Sequence, residues 1–220
     1  MPHGPTSHCG PRDQPDDEGA APGLGRRRRA RRGEGERLRE EIVAAASRML
    51  AETGEVAELS LRAVAREVGV ATTSIYLHFP SLDELVLAVK TRYFAEFGDA
   101  ILAGAARTGD TPLARVRASA HGYVRYGLEN RGRYLVMFTS ESLPARLLPA
   151  ATYIGVDVFE RFRDEVAAVV GPDQDAHLLA IHLWTALHGI VTLRTVRRTF
   201  PWPDLNRQID SLIDRLLPVE

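Results

Sequence analysis

From Glu34 onward, apolar residues recur at three- and four-residue spacing, and no segment sustains the period-two alternation of a strand. That pattern restricts the chain to an all-α fold of about nine helices. The first spans residues 34–52, with Leu38, Ile42, Ala45, Ala46 and Met49 on one face, and Thr53-Gly54 stops it. Short helices follow at 61–67, capped by Ser60 and ended by Gly69, and at 72–78, which Pro80 prevents from continuing. Ser81 and Glu84 form a capping box for a helix at 81–97, whose stripe is Leu82, Leu85, Val86, Val89, Tyr93 and Phe97. Thr111-Pro112 opens the next helix, and a short one follows at 133–138. The stretch 144–149 reads as a loop, and further helices fall at 150–170, 175–198 and 204–217.

The segment 60–85, SLRAVAREVGVATTSIYLHFPSLDEL, carries the functional signal. Two helices of two turns or less cannot hold themselves, so they must pack on the helix at 34–52 and make a three-helix head. Leu61, Val64, Ala65 and Val68 point inward, and Val70 and Ile75 close the small core. Thr72, Thr73, Ser74, Tyr76 and His78 are then left facing outward. Hydroxyls, a phenol and an imidazole on one exposed helix suit the major groove, and the helix N-terminus favours a phosphate.

Gly69-Val70, Ile75-Tyr76, His78-Phe79-Pro80-Ser81 and Asp83-Glu84-Leu85 resemble the N-terminal signature of the tetracycline-repressor (TetR) family. The resemblance covers about fifty residues, and its Y-x-H-F-x-S-x-x-E-L portion is distinctive. It implies an all-helical homodimer that represses nearby genes until a small molecule enters a larger C-terminal helical bundle. By the same resemblance Ser60 and Arg62 hold phosphates, Thr72 and Thr73 reach bases, and Tyr76 and His78 grip the backbone, with Ser74 beside them. The chain departs from the family in having Ala71 in place of a polar residue and Leu82 in place of a lysine. The second change removes an expected phosphate contact and about one unit of salt slope.

Charge elsewhere in the chain offers a substitute. Residues 1–25 hold one Arg and four acids and are rich in Pro and Gly, a composition that cannot offset ordering entropy. Residues 26–80 hold eleven Arg and eight acids, and six of those arginines (Arg26, Arg27, Arg28, Arg29, Arg31 and Arg32) fall in one run. Such a run fits either a solvated tail or an arm that reaches into a neighbouring minor groove. The domain reading is therefore a disordered tail at 1–33 with its basic arm, a helix-turn-helix domain at 34–80, and a ligand-binding and dimerisation domain at 81–220. The helix at 81–97 joins the last two.

In the C-terminal part, Leu183-Trp184-Thr185-Ala186-Leu187-His188-Gly189 resembles a W-x-x-x-H-G motif of one subtype of the family. Trp184 and His188 lie four apart and share a helix face, where such a pair can line a cavity but more often fills a core. Tyr123, Tyr126, Met137, Phe138, Phe159 and Phe162 are the other large inward candidates for a pocket taking an apolar or aromatic effector. Asp157 can pair a cationic ligand or sit at the surface near Arg161. The helices at 175–198 and 204–217 carry more apolar surface than one face needs, and the resemblance implies that they pair with their copies. Two half-sites on DNA require the same two-fold symmetry.

No nucleophile elbow, Walker loop or dinucleotide-binding glycine motif appears, so an enzyme is not expected. The single cysteine, Cys9, and the scattered histidines provide no metal site, and no cofactor is expected. The longest apolar run, 178–193, contains His182 and His188 and falls short of a membrane span. With no signal-peptide core, the expected location is the cytoplasm. The alternative reading is a helical small-molecule binder that does not touch DNA.

Overall fold

The computed structural model describes residues 33–105, 111–139 and 154–217. The expected tail, the arginine run at 26–32 and the loop at 144–149 lie outside them. Among the described residues there are nine α-helices and no strand: α1 (Glu34–Thr53), α2 (Leu61–Val68), α3 (Thr72–Tyr76), α4 (Leu82–Ala105), α5 (Pro112–Glu129), α6 (Arg131–Thr139), α7 (Val156–Val170), α8 (Ala176–Val196) and α9 (Leu205–Leu216). A 3₁₀ turn, Val56–Glu58, joins α1 to α2.

Local chemistry sets most of the boundaries. Gly54 takes a left-handed conformation (φ 72°) and its N–H closes α1 on the Leu50 carbonyl. Ser60 Oγ accepts from Ala63 N, Thr111 Oγ1 from Ala114 N, and Asp175 and Asp204 cap α8 and α9 in the same way. Ser81 Oγ accepts from Glu84 N at 3.3 Å and donates to the Glu84 carboxylate at 3.5 Å, which fixes the start of α4.

Three boundaries differ from the sequence reading. α3 ends at Tyr76, because the N–H groups of His78 and Phe79 both turn back onto the Ile75 carbonyl. α4 continues past Phe97 to Ala105, carrying Ile101 into the core. Gly98 does not stop it, and a Cβ there would meet Val158 Cγ2 at 3.0 Å, so the glycine admits α7 instead. α7 starts at Val156 rather than near 150, since Gly155 (φ 79°) turns the chain immediately before it. Phe94 packs so closely there that a Cβ on Gly155 would stand 2.6 Å from its ring.

The head closes on Ile42, Ala46, Val64 and Ile75, none of which exposes any surface. Burying side chains of this size stabilises by about 1.5–3 kcal/mol each for the larger ones. The body packs α5 at its centre against α4, α7 and α8, with α9 closing the far side. Two joints connect head and body. Tyr93 of α4 donates its hydroxyl to the Ser47 carbonyl of α1 at 2.5 Å. The end of α1 also lies directly on the start of α6, where a Cβ on Gly132 would fall 2.0 Å from the Ala51 carbonyl oxygen.

α8 is the longest apolar stretch among the described helices. Its 21 residues are long and apolar enough, by length and composition, to cross a membrane. In the fold one side, with Ala180, Leu183, Leu187, Ile190 and Val191, is buried in the core. Leu178, Trp184, Leu193 and Val196 on the remainder are 47%, 39%, 52% and 68% exposed, with Phe200 beyond them at 55%.

Candidate nucleic-acid interface and effector cavity

The two short helices and their neighbour create one outward face. α2 buries Leu61, Val64 and Ala65, and α3 buries only Ile75. Thr73 and Tyr76 are exposed, and Thr72, Ser74 and His78 are partly so. Ser60 and Arg62 are exposed at the start of α2. The Ser60 oxygen already caps α2, which leaves its O–H free in direction to donate outward. All seven sequence-selected residues of the head thus lie at its surface. Leu82 instead packs against the core. Gly35, at the start of α1, lies beside His78, with a Cβ there 3.8 Å from the ring. Arg39 stacks over the Phe79 ring at 5.0 Å and holds the turn that follows α3.

In the body a cavity of about 410 Å³ opens between α4, α5, α6, α7 and α8. α4 contributes Phe94, Phe97 and Ile101, and α7 contributes Phe159, Phe162 and Glu165. Ser119 and Tyr123 of α5, Phe138 of α6, and Trp184 and Leu187 of α8 also line it. Five of the eight sequence-selected pocket residues therefore line it. Tyr126, Met137 and His188 do not. Tyr126 packs edge-on against Phe97 at 5.2 Å, and Met137 is buried in the core.

His188 belongs to a network behind the wall. Tyr134 Oη lies 2.7 Å from His188 Nδ1, and Tyr123 Oη lies 3.0 Å from Tyr134 Oη and 3.4 Å from the same nitrogen. Burial lowers the His188 pKa, which favours the neutral ring, and its Nδ1 shares a hydrogen bond with the Tyr134 hydroxyl. Burial also raises both phenols, Tyr123 to about 12, so they remain protonated donors. Trp184 and His188 share a helix side but face different partners: Trp184 meets Phe159 at 5.8 Å, while His188 stacks on Tyr134 at 5.5 Å.

Phe94, Ser119 and Glu165 are among the wall residues that carry no signal in the sequence. Ser119 Oγ donates to Glu165 at 2.7 Å, and burial raises the Glu165 pKa above the usual carboxylate range. Asp157 sits at the surface with Arg161 at 3.2 Å, away from this pair. Among the described residues no group of three His, Cys, Asp or Glu is placed to hold a metal ion.

Residues 42–89 match the model for bacterial regulatory proteins of the tetR family, and residues 116–218 match that for the tetracyclin repressor-like C-terminal domain. The chain belongs to the TetR family. It is accordingly a ligand-responsive, DNA-binding transcriptional regulator of bacterial type. Solved structures agree in fold. A Rhodococcus sp. RHA1 protein of unknown function is 26% identical, with a TM-score of 0.66 over 82% of this chain and 93% of that one. A TetR-like transcriptional regulator from the same organism is 20% identical (TM-score 0.59; 86% and 96% covered). Bacillus subtilis FadR, a transcriptional regulator solved in complex with stearoyl-CoA, is 13% identical (TM-score 0.64; 81% and 97% covered).

Proposed function

We propose that this TetR-family chain is a homodimeric repressor that leaves a palindromic operator when a small apolar or aromatic effector enters the body cavity. Its head, residues 34–80, reads DNA through Thr72, Thr73 and Ser74 and holds phosphates through Ser60, Arg62, Tyr76 and His78. The arginines at 26–32 reach into an adjacent minor groove and supply the phosphate attraction that Leu82, unlike a lysine, does not offer. The body, residues 81–220, binds the effector and the second copy. It acts by binding, without catalysis, in the cytoplasm where the DNA is.

One observation carries the reading. α4 begins five residues after α3 and, further along the same helix, supplies Phe94, Phe97 and Ile101 to the cavity wall. A ligand that prefers one tilt of α4 therefore changes the position of the head. α6 runs in parallel, with Phe138 at the cavity and Gly132 against α1, and Arg133 pairs with Glu96 of α4 and lies over the Tyr93 ring at 5.6 Å. A coupling of about 1–3 kcal/mol between the sites weakens operator binding roughly 5- to 150-fold. The dimer is supported by the apolar exposure of Leu178, Leu193 and Val196 on α8, which in a lone chain would face water.

A mobility-shift titration with the DNA flanking the protein's own gene tests the whole. Two chains should bind one palindrome, and sedimentation should give a dimer at the same concentration. A monomer there, or binding with no preference for the palindrome, rejects the reading.

A further inference from the structure

The effector cavity has an uneven chemistry. Among the described residues nearly all of its wall is aromatic or aliphatic, yet one carboxyl, Glu165, stands in it. Ser119 of α5 is its hydrogen-bond partner at 2.7 Å. Burial raises the Glu165 pKa more than the Ser119 bond and the Arg115 charge lower it. Among the described residues the carboxylate is therefore under-compensated. Arg161 also reaches the wall, but it is more than half exposed and engaged with Asp157. Tyr123, another polar group of the wall, is committed to Tyr134 and His188.

A desolvated carboxylate among ring systems is the chemistry that receives a cation. The rings present negative faces to a positive group, and the carboxylate supplies a charge-assisted hydrogen bond where water is scarce. An anion in the same place would meet the carboxylate across a low-dielectric space. A volume of about 410 Å³ accommodates a compact molecule of a few fused rings.

We propose that the cavity takes a compact apolar amine, bound as its cation with the ammonium at Glu165 and Ser119 and its ring body against Phe97, Phe138 and Phe159. This rests on the cavity being the effector site, and it adds the ligand's charge and shape class. Asp157, the other acid considered from the sequence for this role, is excluded by its surface pairing with Arg161.

Three shape-matched probes separate the charges: adamantylamine, adamantanol and adamantane carboxylate. Trp184 lies in the wall, so its fluorescence reports occupancy directly once the second tryptophan is removed by Trp202→Phe. The amine should bind about tenfold tighter than the alcohol, the size expected of one charge-assisted contact, and the carboxylate should bind weakest. Glu165→Gln should bring amine and alcohol within about twofold of each other, chiefly by weakening the amine. The same variant should also unfold at a higher temperature than the parent at neutral pH, which shows that it is folded. Ser119→Ala provides a second variant, with the amine's advantage reduced but not abolished.

An amine that binds no tighter than the alcohol overturns the inference and leaves the effector cavity standing. So does an advantage that survives Glu165→Gln. Failure of all three probes to bind overturns both. Tight amine binding with no release of operator DNA supports the ligand class and rejects the repressor mechanism.

Discussion

In the head, Ile42, Ala46, Val64 and Ile75 meet with no exposed surface, and the functional side chains all lie outside that core. In the body, the largest side chains stand around a cavity, and polar groups such as the Tyr123–Tyr134–His188 network are placed inside. The head presents a fixed surface to a fixed partner, so a filled core serves it. On the proposed mechanism the body takes two arrangements of similar energy, and an unfilled centre crossed by α4 permits them. Packing that is complete on one side of the α4 and α6 joints and incomplete on the other lets a ligand move a rigid reader.

The sharpest way to break this contrast is a pair of truncations. Ile75→Ala should cost about 2–5 kcal/mol in thermal unfolding and abolish operator binding, since it empties a filled core. Phe159→Leu, at the cavity wall, should cost about 1.5 kcal/mol or less because the deleted atoms face open space on one side. Equal costs would show that the two cores are packed alike. Next in size, Thr72→Ala with Thr73→Ala should weaken operator binding by about 1–3 kcal/mol per specific contact with an unchanged melting temperature. A shifted melting temperature would place those hydroxyls in the fold rather than at the DNA.

The smallest effect concerns pH. The His188 pKa is lowered by burial, so the folded chain takes up its proton at lower pH than the unfolded chain. Its stabilising contribution is complete above the unfolded value near 6.5 and declines as pH falls from there through the folded value. Chemical denaturation at a series of pH values should show that slope, and His188→Asn should flatten it while the head retains DNA binding.

Much of this is legible in the sequence, for identifiable reasons. The head follows from local rules: Ser60 caps α2, Ser81 and Glu84 start α4, and the apolar spacing of α2 and α3 decides which side chains turn outward. The cavity follows from how α4, α5 and α7 cross, which spacing along one helix does not contain. Ser119 reads as a small residue on a helix and Glu165 as one acid among several; only the crossing brings them to 2.7 Å. Four-residue spacing groups His188 with Trp184, which is correct for a side of α8 but silent about that side having two neighbours. The extension of α4 past Gly98 is likewise hidden, because the glycine's purpose is the approach of Val158 from α7.

The approach of Ala51 to Gly132 has a practical corollary for hybrid regulators. A reader taken from another protein and joined to this body at α4 would inherit the covalent joint but also have to seat its own first helix on the start of α6. Any side chain at position 132 would meet a carbonyl at 2.0 Å, so the graft works only with glycine kept there and with a donor helix that ends as α1 does, in a left-handed turn at position 54. Exchangeability of such modules is thus set by a backbone fit remote from both the operator and the ligand.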